Sequence, residues 1–387
     1  MISTLTPQLS PTRPDTNTPS DRVRHLYVHI PFCARICPYC AFYKDRLDRS
    51  QTDRFCEAIL RELDGAVGVD LKLIPATIYF GGGTPTALTT TQLEFLGKGF
   101  REALDMSKLR EWTVEANPGS VSSRKARILR NLGVNRISLG LQSWDQGLLR
   151  ILGRDHSASQ AEESFRILRS AGFANINIDL MFALPTQTMG QWRATLEKTI
   201  ALEPEHISAY CLTYEEDTEF FIRHARGELR SDLESETDFF ETAMSMLESA
   251  GYIHYEISNY AREGFSSIHN RGYWTGADYL GIGPSAFSTV GMQRRQNICD
   301  YRDYSDRVLA GKSPVANVES LTAESKRMER IALSLRTSDG LPVNTVKDRL
   351  PEAERLIESG LLRRLNGHFI LTRRGKPVAD SVAEALI

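Results

Sequence analysis

Several things are missing from this 387-residue chain, and each absence narrows what it can be. No apolar run reaches the ~20 residues that a helix needs to cross a bilayer. The N-terminus lacks the apolar segment that directs export. Neither sign of charge is in excess: the formal net charge is -2, so bulk electrostatics give no reason to expect nucleic acid or an anionic membrane as partner. Cysteine is scarce, six in all, and with no export signal these are expected to stay reduced, where cysteines serve metal or redox chemistry. We therefore expect a cytoplasmic protein. Peripheral membrane contact and homodimerisation are both compatible with this composition.

What is present is ordinary in bulk. Hydrophobic residues make up 41%, typical of globular proteins. The length exceeds what one core usually holds unless the fold is a barrel, so a barrel-sized domain plus a small one fits. Residues 1–22 are rich in Ser, Thr and Pro, and are expected to be a disordered tail without chemistry.

Half of the cysteines fall in one place. Residues 26–44, LYVHIPFCARICPYCAFYK, put Cys33, Cys37 and Cys40 in a C-x3-C-x2-C pattern after a short apolar run. An odd number cannot pair off as disulfides. Pro31 and Pro38 work against a continuous helix. The pattern predicts a strand, then a loop that curls three thiolates around one point. Thiolates are the usual ligands of iron–sulfur clusters, and three of them leave one iron of a four-iron cluster open. Zinc is the alternative, because His29, Cys56, Cys211 or Cys299 could supply a fourth ligand.

Beyond this loop, short apolar runs alternate with helical patterns. Strands are expected at 26–30, 77–80, 112–116, 136–141, 175–181 and 206–212. Helices are expected near 52–65, 91–104, 122–132, 158–171 and 190–202. This alternation is the sign of βαβ units and a parallel sheet. Six units are too few for a closed eight-stranded barrel; the fold class is α/β, and an incomplete, open (β/α)6 barrel fits better than a doubly wound sheet, which stays the alternative. Ligands should then gather at the C-terminal ends of the strands.

The residues just past each strand suit that rule. Gly81, Gly82 and Gly83 precede Thr84 and let backbone approach a ligand closely, though a triple glycine is also a common tight turn. Glu115 and Asp179 are strand-end carboxylates, able to accept hydrogen bonds from ribose hydroxyls or an amino group, or else to cap the next helix. Gln142 offers a donor and an acceptor. Arg154 could pair with a carboxylate or form an exposed ion pair. The sixth strand end carries Tyr210, Thr213 and Tyr214.

In this order, HIPFC-x3-C-x2-C, GGGTPT, VEANP, GLQS, GR, NIDLMFALP and LGIG resemble the radical S-adenosylmethionine (SAM) proteins of the oxygen-independent coproporphyrinogen III oxidase group. The resemblance runs from about residue 26 to the C-terminus. It implies that Cys33, Cys37 and Cys40 hold a [4Fe-4S] cluster whose open iron is chelated by the amino and carboxylate groups of SAM. By motif position it also implies a SAM site. Tyr27 and Tyr39 would flank cluster and SAM, Gly82, Gly83 and Thr84 would hold the methionine end, and Glu115, Gln142, Arg154 and Asp179 would line the rest. Thr213 and Phe287 fall near further SAM contacts. A reductant for the cluster is implied too.

Two details separate branches of the group. The oxidases carry a further cysteine two residues after the third ligand, and here that position is Phe42. Residues 268–274, IHNRGYW, resemble the H-N-x-x-Y-W motif of the HemW heme-chaperone branch, whose histidine is implicated in heme binding. The branch implies heme as a further cofactor on His269, held covalently or tightly, and delivery to heme-accepting proteins such as respiratory hemoproteins. Radical SAM decarboxylation of a porphyrinogen is the alternative, and coproporphyrinogen oxidase activity is not expected. On chemistry alone, neutral imidazole is a good heme ligand, and Tyr273 and Trp274 could stack on a macrocycle. Without the family, a loop histidine beside core aromatics is the favoured reading, because a lone histidine near aromatics is not a signature. The other histidines, His25, His29, His156, His206, His224, His254 and His368, have no such setting.

We divide the chain into the tail, a barrel over 23–290 and a small C-terminal domain over 291–387. In the last part, helices near 322–335, 350–358 and 375–386 and a strand at 369–372 predict a helical, winged-helix-like unit. Arg363, Arg364, Arg373, Arg374 and Lys376 make a basic patch there, which we assign to packing or partner contact rather than to nucleic acid.

Overall fold

The computed structural model describes residues 23–68 and 73–387, so the tail expected to be disordered lies outside the described residues. Strand β1 (His25–Ile30) opens the main sheet, and the loop behind it holds a short parallel pair, β2 (Phe32–Cys33) with β3 (Asp45–Arg46). Then come β4 (Thr77–Gly82), β5 (Glu111–Ala116), β6 (Arg136–Gln142), β7 (Ile176–Phe182) and β8 (His206–Cys211). Between them run α1 (Thr52–Gly68), α2 (Thr90–Ala103), α3 (Ser123–Leu132), α4 (Gln146–Ile151), α5 (Ala158–Ser170) and α6 (Met189–Ala201). The six strands pair in parallel in chain order. Three crossover helices start at a reciprocal capping box: Thr89 with Gln92, Ser157 with Gln160, and Thr188 with Gln191. Each box satisfies two backbone N–H groups that the first turn leaves free.

Side chains alternate across these strands, as the two-residue period requires. Leu26, Val28, Ile30, Ile78, Phe80, Trp112, Val114, Ile137, Leu139, Ile178 and Ile207 belong to one buried apolar core. Between them on the same strands stand His25, Tyr27, His29, Thr77, Tyr79, Glu111, Glu115, Arg136, Ser138, Asn177, Asp179 and His206. These polar residues meet one another across strands, so the concave interior is polar while the outer layer is apolar.

The sheet continues past the six strands. The chain passes through α7 (Glu219–Ala225) and α8 (Leu233–Ser249) to β9 (Ile253–Glu256) and β10 (Asn259–Ala261), which add antiparallel to β8. After α9 (Ile268–Trp274), β11 (Tyr279–Ile282) joins parallel to β1 as a seventh parallel strand. The antiparallel strands β12 (Phe287–Val290), β13 (Gln293–Asn297) and β14 (Val315–Ser320), with α10 (Tyr301–Leu309) before the last, complete the other edge. The end strands β14 and β9 do not pair, so the barrel is open.

A second core, which includes Ile331, Leu335, Leu341, Phe369, Leu371 and Leu386, gathers the C-terminal elements. They are α11 (Ala323–Leu335), β15 (Leu341–Pro342), α12 (Leu350–Glu358), β16 (Leu362–Leu365), β17 (His368–Leu371) and α13 (Ala379–Leu386). The strands form a sheet in the order β15-β17-β16, giving the helical, winged-helix-like unit. Its last helix starts later than residue 375, because Lys376–Val378 form a 3-10 turn that includes Pro377. Two residues of the basic patch dock this unit on the barrel. Arg373 pairs with Glu248 at 3.0 Å, and Lys376 Nζ lies 2.7 Å from His254 Nδ1. No helix among the described residues is long and apolar enough to cross a membrane.

Candidate cofactor site at the strand ends

The loop after β1 carries the three cysteines, all partly exposed and unpaired. The glycine run holds that loop. Gly83 N–H donates to Ile30 O at 2.9 Å, and Thr84 N–H donates to Phe32 O at 2.9 Å. A Cβ on Gly83 would stand 2.5 Å from the carbonyl oxygen of Pro31, and one on Gly82, where φ is +109°, would overlap the His29 ring. The sequence suggested glycine as room for a ligand. At these two positions the room is used by the chain itself, to seat the cysteine loop on β4.

Burial disfavours the thiolate form at two of the three thiols, Cys33 and Cys40. Burial pushes the Cys33 thiol up to about 11, partly opposed by the Thr84 hydroxyl 3.7 Å away. Burial also raises Cys40, with Lys44 opposing it. Arg154 donates to Cys37 Sγ at 3.8 Å and to Gly140 O at 2.6 Å, so it bridges the loop and the end of β6.

Beside it, Gln142 adopts φ 69°, a left-handed conformation that costs a non-glycine residue energy and is found at functional sites. Its Oε1 and the Nε of Arg154 are buried without a hydrogen-bond partner. Such orphans are rare, and a polar ligand would satisfy them. Glu115 accepts from Tyr79 O–H at 2.7 Å and from Gly82 N–H at 3.3 Å. Burial pushes its carboxyl up to about 7, with the Tyr79 bond opposing. Asp179 accepts from Ser138 Oγ at 2.9 Å and from Asn177 Nδ2 at 2.8 Å, and burial again raises it. Tyr27 stacks on Tyr79 at 6.1 Å between ring centroids, and Tyr39 packs toward Phe220. The contacts of this rim fall in three sets on neighbouring strands: Tyr27, Tyr79, Glu115 and Gly82; Ser138, Asn177 and Asp179; and Cys37, Arg154 and Gly140. Thr213 and Phe287 stand apart from its hydrogen bonds: the Thr213 hydroxyl donates to Glu215 at 2.8 Å, and Phe287 is 43% exposed at the start of β12.

The donor set fits a three-cysteine cluster with SAM better than zinc. His29 has both ring nitrogens engaged, one with Tyr43 O at 2.9 Å and the other with Tyr27 OH at 3.0 Å. Cys56 is buried in the core under α1. Among the described residues no three His, Cys, Asp or Glu side chains converge on a single-ion site. Separate irons of a cluster do not require that convergence, and the unpartnered Gln142 and Arg154 atoms suit a polar small molecule beside the thiols.

His269 sits inside the wall, 1% exposed, on α9. Glu111 holds the start of that helix, accepting from the N–H groups of Ile268 at 2.8 Å and His269 at 3.1 Å. The imidazole is fixed on both sides, by Thr77 Oγ1 2.7 Å from Nδ1 and by Tyr273 OH 3.0 Å from Nε2. Its ring stacks on Tyr79 with centroids 5.0 Å apart. Burial draws its pKa down to about 3, so it is neutral. His25 shares the same Thr77 hydroxyl at 2.9 Å, two hydrogen bonds from His269. The sequence offers no signal for this role of His25, because the two histidines are far apart along the chain. Arg136, fully buried among these groups, was missed for the same reason: burial works against its charge, and Glu111 is the foremost group sustaining it.

A family profile described as the Radical SAM superfamily matches residues 27–199. The chain is 36% identical over 371 residues to "Heme chaperone HemW" of Lactococcus lactis, covering 93% of this chain and 96% of that one. It is 32% identical over 383 residues to "Heme chaperone HemW" of Escherichia coli, covering 94% and 97%. Among solved structures, coproporphyrinogen III oxidase (HemN) from Escherichia coli superposes with a TM-score of 0.82 at 22% identity, over 95% of this chain and 91% of that one, which establishes the shared fold. With the cysteine loop, the strand-end rim and this extent of identity in hand, the chain belongs to the HemW heme-chaperone family of radical SAM proteins.

Proposed function

We propose that this protein is a heme chaperone, which binds heme beside a SAM-ligated [4Fe-4S] cluster and hands heme to acceptor hemoproteins. Membership of the radical SAM superfamily implies the cluster and SAM. Cys33, Cys37 and Cys40 would ligate three irons, and SAM would chelate the fourth. Tyr27, Tyr39, Gly82, Gly83, Thr84, Glu115, Gln142, Arg154 and Asp179 would line the SAM site, with Thr213 and Phe287 at its periphery. When bound, SAM on a reduced cluster would supply radical chemistry, a 5′-deoxyadenosyl radical. The chain's own residues do the rest: Arg154 positions the Cys37 side of the loop, Glu115 and Asp179 accept hydrogen bonds, and Gln142 presents an unpaired oxygen.

The observation that carries the heme reading is the unbroken path from the H-N-x-x-Y-W segment to the SAM rim. His269 stacks on Tyr79, and Tyr79 donates to Glu115. Heme ligation by His269 would take Nε2 from the Tyr273 hydroxyl, while Thr77 keeps Nδ1 and orients the ring, as outer partners of metal-bound histidines do. Within the whole, residues 23–290 would hold the cluster and SAM; the main sheet runs on past that boundary to β14, so the second core begins only at α11, and it would serve packing and partner contact.

One anaerobic preparation, assayed in parallel for heme transfer to an apo-hemoprotein and for SAM cleavage, tests this. Heme transfer without porphyrinogen turnover is expected. Robust conversion of coproporphyrinogen III would overturn the chaperone reading. If His269→Ala binds heme as the parent does, the ligand assignment is wrong.

A further inference from the structure

A cleft of about 1510 Å³ opens between α9, the β11–β13 edge and α11. That exceeds the ~300–1,000 Å³ of drug-sized ligand pockets, so it has room for a large flat molecule. Tyr273, Tyr279 and Arg294 line it from the barrel, and Lys326, Arg330 and Leu333 line it from α11. The two tyrosine rings meet edge to face, 4.7 Å between centroids, and give the cleft an aromatic wall.

The charges of the cleft are unequal. Arg294 is engaged by Glu329 at 2.7 Å and Glu319 at 3.8 Å. Lys326 and Arg330, one helical turn apart, have no carboxylate within ion-pair distance among the described residues, and no hydrogen-bond acceptor for their side chains. Residues four apart share a helix face, so both cations address the same side. Two uncompensated cations opposite two tyrosines suit a planar ligand that carries two carboxylates. The cleft also touches the cofactor region, because Tyr273, which lines it, holds Nε2 of His269.

We propose that this cleft docks the tetrapyrrole, with Lys326 and Arg330 pairing its two propionate carboxylates and Tyr273 and Tyr279 packing on its face. The proposal rests on the heme-chaperone reading and adds where, and by which groups, the cargo is held. Tyr273 then acts as the gate to His269: its hydroxyl must leave Nε2 before the imidazole can reach iron. The cleft lies partly on the C-terminal unit, so the cargo site spans both cores.

The experiment uses the full chain, reconstituted anaerobically, and titrates hemin and hemin dimethyl ester by Soret absorption. The parent should bind hemin about tenfold or more tighter than the ester, whose propionates cannot pair with cations. K326E/R330E should lose that margin and bind both forms weakly, with cluster absorption and circular dichroism unchanged. K326R/R330K should keep it, since charge is retained. A parent that binds hemin and its ester equally, or a K326E/R330E variant that binds hemin like the parent, overturns the cleft while leaving the chaperone reading standing. A parent that takes up no hemin removes both.

Discussion

In the absence of SAM, Glu115 should titrate near neutrality and make the folded protein less stable as pH rises. Burial lifts its carboxyl to about 7 from an ordinary 4.5, with Asp179 adding repulsion and Tyr79, Gly82 and Arg136 favouring the charge. The sign follows from linkage: the unfolded chain releases this proton first, so the contribution to stability is whole below about pH 4.5 and is lost as pH rises through 7. At ~1.4 kcal/mol for each pH unit between the two values, the full loss approaches about 3 kcal/mol, and about 2.5 kcal/mol of it falls between pH 5 and pH 8. The carboxyl retains some solvent contact, which makes these upper figures. Urea unfolding of the apo protein at pH 5, 6, 7 and 8 reads this directly. Glu115→Gln should flatten the curve by roughly 1–2.5 kcal/mol over that range. Glu62, also raised to about 7 by burial, leaves a residual slope in both proteins. Parallel curves for parent and variant would refute the argument. With SAM, affinity should rise about tenfold from pH 6 to pH 8, as the carboxylate able to accept on both oxygens becomes the major form.

Three further outcomes are expected. Gly83→Ala should cost about 1–3 kcal/mol and lower cluster occupancy after reconstitution, because its Cβ meets backbone at Pro31 rather than a side chain that can turn away; iron content and thermal melting check both. Changing Cys33, Cys37 or Cys40 to Ser should abolish cluster absorption near ~400 nm, and retained absorption would remove that residue from the ligand set. Glu111→Gln should destabilise by about 2–4 kcal/mol, since a buried N–H of α9 loses its acceptor and Arg136 loses a countercharge; adding Arg136→Met should recover part of it in urea unfolding.

The strands and crossover helices were readable because their cues are local. Leu26, Val28 and Ile30 alternate with His25, Tyr27 and His29, and the capping boxes mark helix starts within four residues. The sheet's outer edge was not readable. β13, QRRQN, and β14, VANVES, are polar and largely exposed, so nothing in their composition separates a strand from a loop; pairing with β12 makes them strands. α8 went unread for a different reason: it follows β8 outside the regular strand–helix repeat that organised the reading.

The candidate site divides the same way. The sequence by itself determined the order of chemistry along the chain: three thiols, a glycine run, a carboxylate, a glutamine, an arginine and a second carboxylate, most of them on or just past a strand, because strand ends in a parallel sheet all open on one side. Only the tertiary structure decided which of these meet. It set Arg154 against Cys37, left Gln142 Oε1 unpaired, and seated His29 behind the glycines. It also buried His269 between Thr77 and Tyr273, joined it to His25, and opened a cleft whose far wall comes from α11. Those contacts join residues up to 192 positions apart, from Thr77 to His269. Local periodicity carries no information at that range, and packing alone brings such residues together.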